Sequence, residues 1–240
     1  MDAFNASASV LYALNEDYLY TIEALQLYLQ RLNPDGYLSL TRWIKMPPRD
    51  TLKLFATAVD ALRMSGVEDP AAHLLLIRGW QTATLLIKNG IVTDAEREKL
   101  SQFSDARSFD IAFAAGSPVS ADSYNQLAQS FFKEGVAALL SERRQQYIDS
   151  YKFDLEPATD DRPFFHHFTK WSSLPEIFTL RNRGGMPLIE WGYVVLVTTL
   201  IIAAILSVIL IALPLLGLPR NSATEKNSVS KLRVILYFLA

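Results

Sequence analysis

The residues best equipped for chemistry crowd into one stretch, Asp154-Leu155-Glu156-Pro157-Ala158-Thr159-Asp160-Asp161-Arg162-Pro163, with His166-His167 close behind. Its carboxylates could hold a cationic amine or line the mouth of a cleft. The same residues also suit an ordered loop, with Arg162 paired to Asp160 or Asp161 and Thr159 and Asp160 capping a turn. The two histidines invite a metal, but neighbours on a strand point to opposite faces. With His73 the one other histidine and cysteine absent, no metal site is expected.

Arg42-Trp43 and Arg78-Gly79-Trp80 are the other candidates. A guanidinium there could meet a carboxylate, and an indole could stack on a base or a methionine chain. Both tryptophans also suit plain packing, Trp43 on the Pro47-Pro48 turn. Arg42, Trp43, Arg78, Trp80, Asp160 and Asp161 form the substrate-binding set. Hydrolase, nucleotide-triphosphatase and zinc-protease readings lack support, because no G-x-S-x-G elbow, P-loop or H-E-x-x-H occurs. With 23 Lys+Arg against 25 Asp+Glu, no basic field exists to attract nucleic acid. The lack of cysteine excludes disulfides.

The elements that must position these residues follow from periodicity. Tyr18, Ile22, Leu25, Leu29 and Leu32 form one stripe of an amphipathic helix, with Asn15 as N-cap and Asn33-Pro34-Asp35-Gly36 as its stop. Tyr37 to Ile44 reads as a strand. A second helix starts at Asp50, turns Phe55, Ala58, Val59 and Leu62 inward, and closes at Ser65-Gly66. His73–Arg78 and Thr82–Lys88 are apolar strands whose three-residue link permits only an antiparallel hairpin. Thr93 caps a further helix, Arg107 to Ala115 reads as a strand or a packed connector, and Asp122 to Ile148 carries two helices around Gly135. This order fits an α/β, doubly wound Rossmann-like sheet with an antiparallel edge hairpin.

Residues 1–150 are expected to form that domain, and 151–187 an aromatic-rich segment serving either as an interfacial belt or as part of the core. The run from Trp191 to Leu218 carries no charge, and crossing a bilayer needs about 20 apolar residues. A transmembrane helix is therefore expected over 188–218, a loop over 219–231, and the start of a second span over 232–240. No secretory signal opens the chain. The truncated second apolar run leads to the expectation of an interior fragment of a longer polypeptide.

ALNEDYLYTIEALQLYLQRLNPDGYLSLTRW (Ala13–Trp43), PPRD (Pro47–Asp50) and PATDDRPFF (Pro157–Phe165), in that order, resemble the membrane-embedded spermidine-synthase-like proteins of bacteria. The resemblance implies the C-terminal half of an S-adenosylmethionine-dependent transferase fold and a role in polyamine biosynthesis. It also implies an inner-membrane protein whose globular domain faces the cytoplasm. In soluble members a loop with two Asp residues deprotonates the attacking amine. The matching positions here are Asp2 and Asn5, and an amide cannot accept that proton near neutral pH. The Tyr-Pro pair that lines their amine pocket is replaced by Arg78-Gly79-Trp80.

The family seats its cofactor on a glycine-rich turn, with a carboxylate on the ribose. No such turn occurs in this chain, so the 240 residues alone are expected to be inactive. The implied function is aminopropyl or methyl transfer, from S-adenosylmethionine or its decarboxylated form, to a small amine or other nucleophile. The alternative is a non-catalytic protein that uses the transferase scaffold as an interaction or regulatory module. The bilayer and the small-molecule acceptor are the expected partners, and homo-oligomer formation stays open.

Overall fold

The computed structural model describes residues 15–116, 124–125, 130–173 and 191–217. The chain divides into two compact units, one spanning Leu11–Glu190 and the other comprising Met1–Val10 with Trp191–Ala240.

In the larger unit a single 3-10 turn, Tyr18–Tyr20, precedes helix α1 (Ile22–Arg31). Then come strand β1 (Tyr37–Trp43), helix α2 (Asp50–Met64), strands β2 (Leu74–Arg78) and β3 (Thr82–Lys88), helix α3 (Asp94–Ala106) and strand β4 (Asp110–Ala114). Helices α4 (Phe131–Leu140) and α5 (Arg144–Ser150) follow. The N-cap of α1 is Thr21, whose hydroxyl accepts from the Ala24 amide, and not Asn15. Asp17 caps the short turn before it, so the stripe from Tyr18 to Leu32 spans two elements.

The four strands form one sheet in the order β1-β3-β2-β4. Every pairing is antiparallel: Leu40 faces Leu85, Leu76 faces Leu85 from the other side, and Leu76 faces Phe113. This corrects the expected doubly wound sheet. The short hairpin link makes β2 and β3 antiparallel, and β3 then inserts between β2 and β1 instead of lying at an edge. β1 and β2 run the same way but exchange no hydrogen bonds. The burial of β1 alternates along its whole length, and Ser39 and Thr41 face outward, a pattern of sheets with one solvated face.

Helix α2 explains why the inner face is so well sealed. From Thr51 to Val59 every residue is buried, and Ala61 and Leu62 extend the contact. Its Phe55 meets Phe113 of β4 edge-on, with centroids 5.6 Å apart. Gly135 sits inside α4 because a Cβ there would lie 2.9 Å from the Leu52 side chain and from the Tyr147 hydroxyl. The aromatic segment after α5 belongs to this core, since Phe153, Phe165 and Phe168 are all buried in it. A smaller cluster, Leu75, Val92 and Ala114, lies with Leu86, Leu100 and Ile111.

The second unit contains helix α6, Trp191–Gly217. Its side chains are described over 196–211, sixteen residues that are almost all exposed. Among the described residues no helix is long and apolar enough to cross a membrane, which corrects the expected transmembrane helix. The expected second span, at 232–240, lies outside the described residues.

Helix α3 is tied to the sheet by charge. Thr93 and Glu96 make a reciprocal capping box, and Glu96 Oε2 also accepts from Lys88 Nζ of β3 at 2.9 Å. The Lys88 ammonium, then the Thr93 amide, hold the Glu96 carboxyl down at about 2. A carboxyl depressed in the folded state stabilises fully above its ordinary value of 4.5, and that contribution disappears as pH falls toward 2. The melting temperature of the wild type should therefore fall more steeply between these pH values than that of Glu96→Gln. Parallel curves in a pH series of thermal melts would show that the network contributes nothing.

Candidate functional site

The sheet gathers four of the six substrate-binding candidates at one end. Trp43 pairs with Thr82, and Arg78 lies opposite both Ala83 and Asp110. Trp80 occupies the hairpin link and is 71% exposed, while Trp43 is 53% exposed. The link is tight: the Gly79 amide donates to Thr82 O at 2.8 Å, and a Cβ on Gly79 would press on the Phe109 ring at 3.3 Å.

Arg78 is not free to meet a ligand. It is fully buried, with Nη2 3.3 Å from Asp110 Oδ2, and it also donates to Asn125 O. Asp110 in turn accepts from the Tyr124 and Asn125 amides at 3.0 and 2.9 Å. This network anchors the strand ends and the Tyr124-Asn125 segment.

Arg42 differs. The alternation of β1 puts it on the same face as Leu38 and Leu40, at the end of the core-facing row. Its guanidinium lies 3.9 Å from the Tyr20 ring centroid and 4.9 Å from that of Phe165. Nε and Nη2 are shielded from solvent without a hydrogen-bond partner. A buried donor left this way costs about 1–3 kcal/mol, more when charged. Beside it His166 packs on Tyr20 and Phe165 and shares a hydrogen bond of 3.1 Å with Asp17. Burial, then the Arg42 charge, holds the His166 imidazole below its ordinary pKa.

The acidic stretch after α5 is a clasp. Ile22 N donates to Ala158 O at 2.9 Å, and Asp17 N donates to Pro163 O at 2.7 Å. Asp160 accepts from the Thr21 hydroxyl at 2.7 Å, and its amide donates to Glu23. The loop closes on itself through Arg162 N to Thr159 O rather than through an Arg162 ion pair. Asp154 faces buried Lys53 at 3.3 Å, and Lys53 also donates to His167 O. Asp161 is exposed. Asp160 and Asp161 are thus not brought to the Trp43–Trp80 end as ligands. Asp2 and Asn5 lie outside the described residues.

Among the described residues no group of three or more His, Cys, Asp or Glu could hold a metal ion. A cavity of about 360 Å³ opens near the opposite end of the sheet, between Leu29, Leu62, His73 and Asn89. Its polar edges are already engaged, with Gln26 donating to Ser65 and His73 Nδ1 3.2 Å from Lys88 O.

Sequence reasoning missed Asp17, Thr21, Lys53 and Asp110 as the partners that organise this region. Two of them carried a signal. Lys53 and Asp110 are lone charges inside apolar runs, and such charges are buried only when paired. Compared with known proteins, the chain matches no family model, no curated protein and no solved structure.

The Arg78–Asp110 pair yields a stability prediction. Asp110→Ala strands a buried guanidinium and should cost about 3–5 kcal/mol, whereas the double replacement Arg78→Met, Asp110→Leu should recover only part of that loss, because the Tyr124 and Asn125 amides still lose their acceptor. Urea denaturation of the three proteins measures both terms. Equal losses in the single and double variants would show that packing, not charge, holds the strand ends together.

Proposed function

We propose that the sheet unit is the acceptor side of a spermidine-synthase-like transferase, one that moves an aminopropyl or methyl group to a small nucleophile. One observation carries the reading. The segments that resemble this family, Ala13–Trp43 and Pro157–Phe165, are distant in sequence yet contact each other directly through Asp17, Thr21, Ile22 and Glu23. Segments shared as a set are expected to support one another physically, and these two do.

Among the described residues none makes a seat for an S-adenosylmethionine-type cofactor. Gly79 is enclosed by Phe109 in a hairpin link, and Gly66, Gly90 and Gly116 serve isolated turns with positive φ. The reading therefore needs the cofactor seat to come from residues outside the described ones. What this chain contributes is a pair of exposed indoles, Trp43 and Trp80, at the same end of the sheet as Arg42, whose guanidinium lies on the opposite face of β1 from Trp43. Flat apolar surfaces with a few placed polar groups are the usual lining of small-molecule sites.

The second reading is a non-catalytic interaction module on the same scaffold. It is favoured by the internal engagement of Arg78, Asp154 and Asp160, which leaves few described polar groups for chemistry.

Calorimetric titration of the full-length protein with S-adenosylmethionine and with its decarboxylated form separates the two. Saturable binding of either form is expected. Preference for the decarboxylated form assigns aminopropyl transfer, and preference for the other assigns methylation. Absence of heat with both overturns the transferase reading in favour of the module.

A further inference from the structure

We propose that Arg42 binds a carboxylate, and that the acceptor taken at this end of the sheet is a small carboxylate-bearing molecule rather than a bare polyamine. The word acceptor rests on the transferase reading; the binding of the carboxylate does not. The fold has already supplied most of its enclosed arginines with a carboxylate. Among the described residues, five arginines are buried or half-buried, and four of them have a carboxylate of their own. Arg49 lies beside Asp50, Arg78 beside Asp110, Arg97 beside Asp94 and Arg144 beside Asp60. Arg42 is the fifth.

The carboxylates around this corner have other partners, with Asp50 Oδ2 3.8 Å from Arg49 Nε. Asp17 is engaged by His166 and by the Leu19 amide. Asp160 is engaged by Thr21. The two unpartnered nitrogens of Arg42, Nε and Nη2, form one edge of the planar group. That edge presents two parallel N–H bonds, the fork that donates to both oxygens of a carboxylate at once.

The rings make the edge a fixed one. Tyr20 and Phe165 lie against the guanidinium, so little rotamer freedom is left to lose when a ligand arrives. Shielding from solvent also strengthens whatever charge pairing forms there. The edge is closed off in the structure, so entry of a ligand goes with a local displacement of the groups that cover it.

The same charge argues against a bare polyamine. Guanidinium is always protonated, so a di- or tricationic amine brought to this corner meets a like charge. His166 does not relieve this, since burial and Arg42 itself favour its neutral form. The charged groups facing His166, namely Arg42, Asp50 and Asp17, leave Arg42 as the cation at this corner without a carboxylate partner.

The test uses the full-length protein at constant ionic strength, with succinate, inorganic phosphate and putrescine as the probes. Succinate should bind saturably by calorimetry and raise the melting temperature, and putrescine should do neither. Arg42→Lys keeps the charge but loses the fork, and should weaken succinate on the order of tenfold, the equivalent of one charge-assisted hydrogen bond. Arg42→Met should remove binding. If the Met variant fails to fold, the Lys variant alone decides. Equal succinate affinity in wild type and Arg42→Lys overturns the assignment, as does the absence of succinate binding to wild type. Tighter binding of phosphate than of succinate overturns it in favour of a phosphate ligand, and tighter binding of putrescine restores the polyamine. Succinate binding without any cofactor binding would retain the anion site and discard only the transferase reading.

Discussion

The fold depends on the return of residues 157–166 to the segment that opens the described chain. Two backbone hydrogen bonds, from Asp17 and Ile22, and the Thr21–Asp160 side-chain bond fasten the two stretches. The closure has three consequences. It supplies Thr21 with two tasks, capping α1 and holding Asp160. It carries Phe165 into the core beneath Tyr20, with ring centroids 5.0 Å apart. And it places both rings against Arg42 at the end of β1. Without the clasp, the aromatic segment after α5 would have no partner face and Arg42 would turn to water.

Burial of charge organises the rest of the unit in the same manner. Lys53, Arg78, Lys88 and Asp110 are all buried, and each is paired with a group from a distant element. Such pairs add little net stability, because desolvation offsets most of the Coulombic gain. Their consequence is positional. Lys53 fixes α2 to Asp154, Arg78 fixes β2 to β4, and Lys88 fixes β3 to α3. The candidate ligand end of the sheet is thus a rigid platform with two exposed indoles, and the electrostatics around it are set before any ligand arrives.

Much of the local structure was legible in the sequence, and the sheet was not. Thr82–Lys88 has the boundaries its apolar run implies, and Thr93 caps α3 as its position before Asp94 and Glu96 requires. Phe55, Ala58, Val59 and Leu62 of α2 are buried as their spacing implies, but burial covers the helix on all sides from Thr51 to Val59, which the spacing does not show. Strand order is a different kind of property. Nothing in the β2–β3 link says that β3 will insert beside β1, because that depends on which edge is left open once α2 has packed. The acidic stretch misled for a related reason. Carboxylates at short spacing look like a ligand cage, yet Asp160 and Asp154 take partners far away in sequence. The length of helix α6 was legible, but among the described residues no helix is long and apolar enough to cross a membrane.

The clasp is also the point at which the account is most exposed. Native-state hydrogen exchange on the Asp17 and Ile22 amides addresses it directly, since these donate to Pro163 O and Ala158 O. Both are expected to exchange as slowly as the amides of β3, through global unfolding alone. Exchange of either at the rate of an open turn, while β3 stays protected, would show that the two stretches part freely. The platform around Arg42 would then lose its basis.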